Sequence, residues 1–324
     1  MKNIKFFTKC ILATLPAIAL ILYTLLYPVC YMDEEYPAWD FTKHVSKGKM
    51  YDGRSFDVVV LGDSGAMSSI MPGYAGESCV NLAVGGATSI EMYYFFDEYL
   101  KNHEAPKTAV IMFAPFHCWH IDNFATRTRY FKAIPAAKLC ELYQNARACD
   151  AASVADDGYA IKELSARLGL PNVYLPALTA ARFTGRYDKN AELSGELMQT
   201  FGYGRFGDQD ECYDESYETS YEDMEDTGDA RLVTFYMRKL LTLCIDHNIK
   251  VRVIQPAVNE ATYEGMSEKY IASYKKHMEE FAKEFPGIEC ESEVRVYDGK
   301  YFSDTSHLNP SGAVIFTQET MLCK

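Results

Sequence analysis

The chain has 324 residues, of which 48% are hydrophobic and 14% aromatic, and its formal net charge is −13. This length and apolar content suffice for one sizeable core, and the acidic balance argues against a nucleic-acid partner, which needs concentrated Lys and Arg. Eleven acidic residues and no basic one lie between Asp208 and Asp229, so the remainder of the chain is close to neutral.

The first predicted element is a membrane helix. Residues 10–32 carry no charge; Lys2, Lys5 and Lys9 precede them, and acidic residues follow at 33–35. A helix of this length can cross a bilayer, and the basic flank predicts a cytoplasmic N-terminus. We therefore expect an uncleaved single-pass anchor in the cell membrane, with the rest of the chain extracytoplasmic. A cleaved signal peptide is the alternative, but no Ala-x-Ala-like site ends the segment.

A polar segment follows the anchor, over residues 33–53. It contains Tyr36 and Trp39, which suit either a belt at the membrane interface or ordinary packing onto a domain. We interpret the segment as a juxtamembrane connector, with one folded domain over residues 54–324.

Beyond Arg54, apolar runs alternate with stretches of helical periodicity. This alternation predicts an α/β fold with a doubly wound, flavodoxin-like parallel sheet. The predicted strands are 58–61, 80–83, 109–113, 251–254 and 294–297. The predicted helices are 88–102, 230–247, 267–285 and one that begins at Pro310. The interval of about 120–229 is too long for a crossover, so we expect an insertion there, with helices near 136–148 and 160–168, over the active-site edge.

Two short motifs carry candidate chemistry. Gly62-Asp63-Ser64 ends the first strand, which places a hydroxyl at the carboxyl edge of the sheet beside free helix N–H groups. Asp304 and His307 stand three residues apart near the other end of the chain, where an imidazole could serve as a base. The plainer interpretations are an N-cap serine, a turn aspartate and a surface histidine.

The order Ser, Asp, His, with the last two just before a C-terminal helix, resembles the SGNH (GDSL-type) hydrolase superfamily. In that family a further block supplies an oxyanion-binding glycine, and the sequence Asn-Leu-Ala-Val-Gly-Gly-Ala-Thr-Ser at 81–89 is similar, with Gly86 at the matching position. A Gly-x-Asn-Asp block should follow the third strand. Here residues 114–120 are Ala-Pro-Phe-His-Cys-Trp-His, without the asparagine. The resemblance covers residues 56–90 and 294–324.

The resemblance implies an SGNH hydrolase fold and a catalytic triad. Ser64 would be the nucleophile, His307 the base and Asp304 its orienting carboxylate, with the N–H groups of Ser64 and Gly86 receiving the oxyanion. Three further residues, at the ends of the first and third strands, could line the site: Asp63, His117 and His120. We expect neither a metal nor a cofactor.

Together with the outward-facing anchor, the resemblance implies a serine acyltransferase or esterase that acts on O-acyl groups of a cell-surface polysaccharide. Such relatives often work beside a membrane-bound O-acyltransferase. A simple esterase or lysophospholipase is one alternative. A catalytically silent carbohydrate-binding scaffold protein is another.

Two features stay open at this level. The acidic run at 208–229 could bind a divalent cation or a basic partner, or form a solvated loop. The eight cysteines beyond the anchor permit disulfides outside the cell, although several, such as Cys79 and Cys244, lie in apolar runs and could be core residues.

Overall fold

A computed structural model describes residues 2–26, 33–121, 123–167, 185–207 and 226–321. Most of the acidic run, at 208–225, lies outside these ranges, as do residues 27–32 at the end of the predicted anchor. The interpretations of the acidic run therefore remain predictions.

The N-terminal helix, α1 (Lys2–Leu26), stands apart from the core. Its apolar window Ile4–Ile21 has a mean hydropathy of 1.8, and none of that window is buried. The helix is thus long and apolar enough to cross a membrane, and a signal sequence would meet the same criteria.

Within the described residues, five parallel strands form the central sheet in the order β2-β1-β3-β4-β6. These are β1 (Val58–Gly62), β2 (Cys79–Asn81), β3 (Thr108–Met112), β4 (Lys250–Ile254) and β6 (Glu289–Cys290). This spatial order of the strands is that of flavodoxin-like doubly wound sheets. The predicted α/β class and parallel sheet are confirmed.

Helices cover the sheet. They are α2 (Tyr36–Ser46), α3 (Ser64–Ser69), α4 (Ser89–Asn102), α5 (Leu139–Ala148), α6 (Ala152–Ala155), α7 (Tyr159–Arg167), α8 (Gly185–Gln199), α9 (Gly228–Asp246), α10 (Glu260–Gly265), α11 (Glu268–Glu284) and α12 (Pro310–Met321). The central strands β1 and β3 are buried along almost their whole length, which explains why their sequences are unbroken runs of apolar residues.

The fifth strand differs from the prediction. Residues 294–297 do not join the central sheet; Val296–Tyr297 forms β7 and pairs with β5 (Val258–Asn259) in a separate two-stranded sheet. The edge position beside β4 is taken by β6, which pairs Arg252 with Glu289. Because β6 is a half-exposed edge strand, its sequence contains no apolar run. The hydrophobic pattern therefore predicted a strand at the next apolar stretch, residues 294–297.

The packed core begins earlier than residue 54. Helix α2 buries Trp39, Phe41 and Val45, and the Trp39 ring packs edge-on against Phe95 and Phe131 at centroid distances of 6.1 and 5.7 Å. The part of the presumed connector that follows Asp33 therefore supplies a helix to the domain. Consequently, residues 36–46 belong to the folded domain.

The first part of the insertion builds a second apolar cluster. Helix α5, near the predicted 136–148, and the neighbouring α6 pack with α4 and α9, and the hydroxyls of Tyr94 and Tyr236 lie 2.8 Å apart at their centre. Helix α7 agrees with the predicted 160–168. All cysteines of the described residues are free thiols, and Cys79 and Cys244 are buried in the core.

Candidate active site

Ser64 is the first residue of α3, directly after β1. The residue that caps this helix is Asp63, whose Oδ1 accepts hydrogen bonds from the N–H groups of Gly65 at 2.9 Å and Ala66 at 3.3 Å. The plainer interpretation of Ser64 as the N-cap is therefore wrong. Because the neighbouring aspartate does the capping, the half-buried Ser64 hydroxyl is left for other chemistry.

The second oxygen of Asp63 ties α3 to the loop after β3. Asp63 Oδ2 accepts hydrogen bonds from the Ala114 N–H at 2.6 Å and from His117 Nδ1 at 2.7 Å. The side chains of Asp63 and His117 are only 1% and 5% exposed. These two predicted site-lining residues thus lie beneath the surface and brace the turn that carries Ser64, while His120 is half-buried at the end of the same loop.

Asp304 and His307 form a second pair. His307 Nδ1 lies 2.8 Å from Asp304 Oδ2 and 3.0 Å from Oδ1, and Oδ1 also accepts the N–H groups of Ser306 and His307. Burial alone would raise the pKa of Asp304, but these hydrogen bonds and the charge of His307 lower it below its usual value. An ionised carboxylate only accepts hydrogen bonds, so His307 Nδ1 carries a proton, and Nε2 is the ring nitrogen that does not bind Asp304.

Residues 200–207 connect this pair with α3. The His307 ring stacks on Phe206, with centroids 4.4 Å apart and planes at 17°. Two residues earlier, the Gly204 N–H donates to Met67 O in α3 at 3.2 Å. The Asp304–His307 loop also receives a hydrogen bond from Asn259, which follows β4, at Thr305 O. Ser64 and His307 therefore belong to the same carboxyl edge of the sheet.

The contacts between Ser64 and His307 are indirect. Gly65 packs against Pro256, since a β-carbon on Gly65 would lie 2.5 Å from Pro256 Cγ. Pro256 stands three residues before Asn259, whose side chain donates to Thr305 O in the Asp304–His307 loop. Among the described residues, no hydrogen bond joins Ser64 Oγ to His307.

The hydrogen-bond ladder between β1 and β2 continues past the ends of both strands towards Ser64 and Gly86. The Leu82 N–H donates to Val60 O at 2.8 Å, and the Val84 N–H donates to Gly62 O at 3.0 Å. Each strand then turns two residues later, one at Ser64 and the other at Gly86, whose φ of +70° favours glycine.

An asparagine that the sequence did not indicate reaches this glycine. A β-carbon on Gly86 would lie 2.0 Å from Asn123 Nδ2, so the amide packs directly on the glycine backbone. Asn123 precedes a π-helical turn, Phe124–Thr128, which presents it from within the insertion. The asparagine expected directly after β3 is absent, and the amide that packs on Gly86 comes from Asn123, farther along the chain.

Glu35 is the second residue that sequence analysis missed. A β-carbon on Gly85 would lie 2.3 Å from Glu35 Oε2. Arg127, on the π-helical turn, places Nη2 3.8 Å from Glu35 Oε1 and donates from Nη1 to Gly85 O at 3.4 Å. Burial raises the pKa of the Glu35 carboxyl, and the charges of Arg127 and His307 only partly oppose this rise.

The carboxylate of Glu35 thus packs on Gly85, and the amide of Asn123 packs on the adjacent Gly86.

No protein-family model matches the chain, and the comparison with curated proteins finds no match.

Proposed function

We propose that this protein is an extracytoplasmic serine acyltransferase or esterase that acts on O-acyl groups of a cell-surface polysaccharide. The observation that supports the proposal most is the Asp304–His307 pair. The 2.8 Å hydrogen bond to Asp304 fixes the tautomer of His307. The half-buried imidazole lies at the same edge of the sheet as the Ser64 hydroxyl, which does not cap its helix.

In this proposal the acyl group passes first to the protein. His307 Nε2 takes the Ser64 Oγ proton as the oxygen attacks an ester or thioester carbonyl, and Asp304 holds the resulting imidazolium. The bond from the acyl carbon to the donor's oxygen or sulfur then breaks, His307 gives its proton to that leaving atom, and the acyl group remains on Ser64 Oγ. Among the described residues, the N–H groups of Ser64 and Gly86 donate to no protein acceptor, so both are available to the oxyanion. Asn123 Nδ2, packed on Gly86, is our candidate for a third donor.

The second half of the reaction transfers the acyl group from Ser64 Oγ. His307 removes the proton of an incoming hydroxyl, the new ester bond forms, and the bond to Ser64 Oγ breaks as that oxygen takes the proton back. With water as the acceptor the protein is an esterase; with a sugar hydroxyl it is a transferase. The proposed cellular setting, beside a membrane-bound O-acyltransferase, depends on α1 as a membrane anchor with the domain outside.

A fluorophosphonate probe tests the nucleophile. We expect the full-length wild-type protein to be labelled at Ser64 and the Ser64→Ala protein to remain unlabelled. Ser194→Ala is the matched control because Ser194 is also half-buried and its hydroxyl donates to Asn190 O within α8; this variant should still be labelled at Ser64. Equal labelling of wild type and Ser64→Ala would overturn the proposal and favour a silent scaffold protein.

A cellular experiment separates the transferase from a simple esterase or lysophospholipase. We expect cells without the protein to lose O-acyl groups from a surface polymer and to regain them with wild type but not with His307→Ala. Unchanged polymer acylation, together with rapid hydrolysis of simple esters by the purified protein, would identify an esterase.

A further inference from the structure

The position of Glu35 constrains what can bind beside Ser64. Its carboxylate lies over Gly85, the residue before the proposed oxyanion glycine, and its side chain is 14% exposed. Burial raises the pKa of Glu35, and the charge of His307 is one of those that partly oppose this rise, so the two side chains are near enough to interact. A molecule that approached an acyl group on Ser64 between His307 and Gly86 would therefore also meet Glu35.

The chemistry of a carboxylate decides which partner it can take. A carboxylate accepts hydrogen bonds, whereas an acyl carbonyl offers only acceptors and gains negative charge as it reacts. Glu35 is thus unsuited to contact the acyl group itself. A neutral hydroxyl, which donates, is well suited.

The surroundings of Glu35 narrow the choice further. Within the part of the chain that the structure describes, no side chain donates a hydrogen bond to this carboxylate, and Arg127 Nη2 stands 3.8 Å away, beyond hydrogen-bond length. The charges of Glu35 and Glu34 are balanced by Arg127 and Arg186, so the site does not require a positively charged acceptor such as an ammonium group. An uncharged molecule with several hydroxyls fits both groups.

We infer that Glu35 determines acceptor specificity by accepting a hydrogen bond from a second hydroxyl of a polyhydroxylated acceptor, so that the first hydroxyl is aligned with the acyl group on Ser64. The inference rests on the proposed function. Transfer then proceeds as above: the acceptor oxygen bonds to the acyl carbon, the bond to Ser64 Oγ breaks, and the acceptor proton passes through His307 to Ser64. Glu35 positions the acceptor and exchanges no proton.

The test uses the full-length protein in detergent with p-nitrophenyl acetate as acyl donor. Two acceptors compete at equal concentration: methyl α-glucopyranoside, which has neighbouring hydroxyls, and methanol, which has one. The readout is the ratio of acetyl glucoside to methyl acetate, which is insensitive to a general change of rate.

We expect Glu35→Gln to lower this ratio about tenfold, because an amide loses the charge-assisted hydrogen bond. Glu35→Asp retains the charge but withdraws it by one methylene, and it should lower the ratio as well. Glu192→Gln is the matched control because Glu192 is exposed on α8 and does not act on the Glu35 carboxyl; it should leave the ratio unchanged.

Each other outcome overturns the inference in a recognisable way. An unchanged ratio in Glu35→Gln, with wild type that still releases p-nitrophenol and takes the fluorophosphonate label, removes the role of Glu35 but leaves the proposed function standing. A ratio that falls in Glu35→Gln but not in Glu35→Asp assigns Glu35 an electrostatic effect instead. A wild type with neither label nor p-nitrophenol release ends both.

Discussion

Asp63–His117 and Asp304–His307 are both aspartate–histidine pairs, with Nδ1–Oδ2 distances of 2.7 and 2.8 Å, but their surroundings differ. The first pair is almost fully buried, and its aspartate also accepts three backbone N–H groups. The second is 36% exposed at the aspartate and 17% at the histidine. Hydrogen-bond geometry alone therefore does not identify a catalytic pair.

The difference assigns the two pairs complementary tasks. Asp63 joins the start of α3 to the end of β3, so the buried pair fixes the backbone around Ser64. Asp304 binds its own loop and accepts a hydrogen bond from His307, and in the proposed function this accessible pair exchanges a proton with the substrate. Variants of His307, Asp63 and Asp304 separate these two tasks.

The largest expected effect is on activity at the accessible pair. His307→Ala should lower kcat/KM for p-nitrophenyl acetate by about 10⁴-fold, because the serine loses its base. Stopped assays of purified protein measure this. His44→Ala, on the half-exposed outer side of α2, is the control and should retain wild-type activity. Activity above a tenth of wild type in His307→Ala would contradict the triad.

At the buried pair we expect the largest effect on stability. Asp63→Ala should lower the free energy of unfolding by about 3 kcal/mol, because a helix cap and a buried hydrogen-bond acceptor are lost together. Asp304→Ala, in the more exposed pair, should cost only about 1 kcal/mol. Urea unfolding of both variants measures the difference. Equal losses would show that the two aspartates do the same structural work.

Asn123 should behave as part of the accessible pair's machinery. Asn123→Ala should lower kcat by about 100-fold with little change in stability, which is the usual cost of one oxyanion donor. Asn102→Ala, at the exposed end of α4, is the control. If kcat of Asn123→Ala stays within threefold of wild type, the amide only fills space beside Gly86.

The smallest expected effect concerns two carboxylates with opposite pKa shifts. Partners lower the pKa of Asp304, whereas burial raises that of Glu35. A raised pKa in the folded state favours the protonated acid, so its contribution to stability is present at low pH and is lost as pH rises through that pKa.

Glu35→Gln should therefore raise the free energy of unfolding at pH 7 by about 1 kcal/mol, the ordinary size of a single-residue effect. Below the unfolded-state pKa of about 4.5 this gain should disappear, because wild-type Glu35 is then protonated as well. Thermal unfolding at both pH values measures it. The groups that act on this carboxyl are Asp33, Glu34, Arg127 and His307. A variant less stable than wild type at pH 7 would show that the Arg127 ion pair outweighs burial.

Local sequence determined what depends on neighbouring residues. The unbroken apolar run of β1 predicted a strand that is buried on both faces. Asp304 and His307 are three residues apart, and one local turn brings their side chains together, because Asp304 also accepts the His307 N–H. The long helices α4, α9 and α11 were predictable for the same reason, because each carries an apolar stripe of its own, whereas α2 and α8 were not predicted.

Tertiary structure alone decided the rest. Three features join segments that lie far apart in the chain. They are the pairing of the polar edge strand β6 with β4, the packing of α2 in the core, and the contacts of Glu35 with Gly85 and of Asn123 with Gly86. No periodicity or motif encodes such contacts, because they depend on how whole elements pack. The sequence thus determined the central strands, the long helices and the Asp304–His307 pair, while packing decided the edge strand, the place of α2 and what surrounds Ser64.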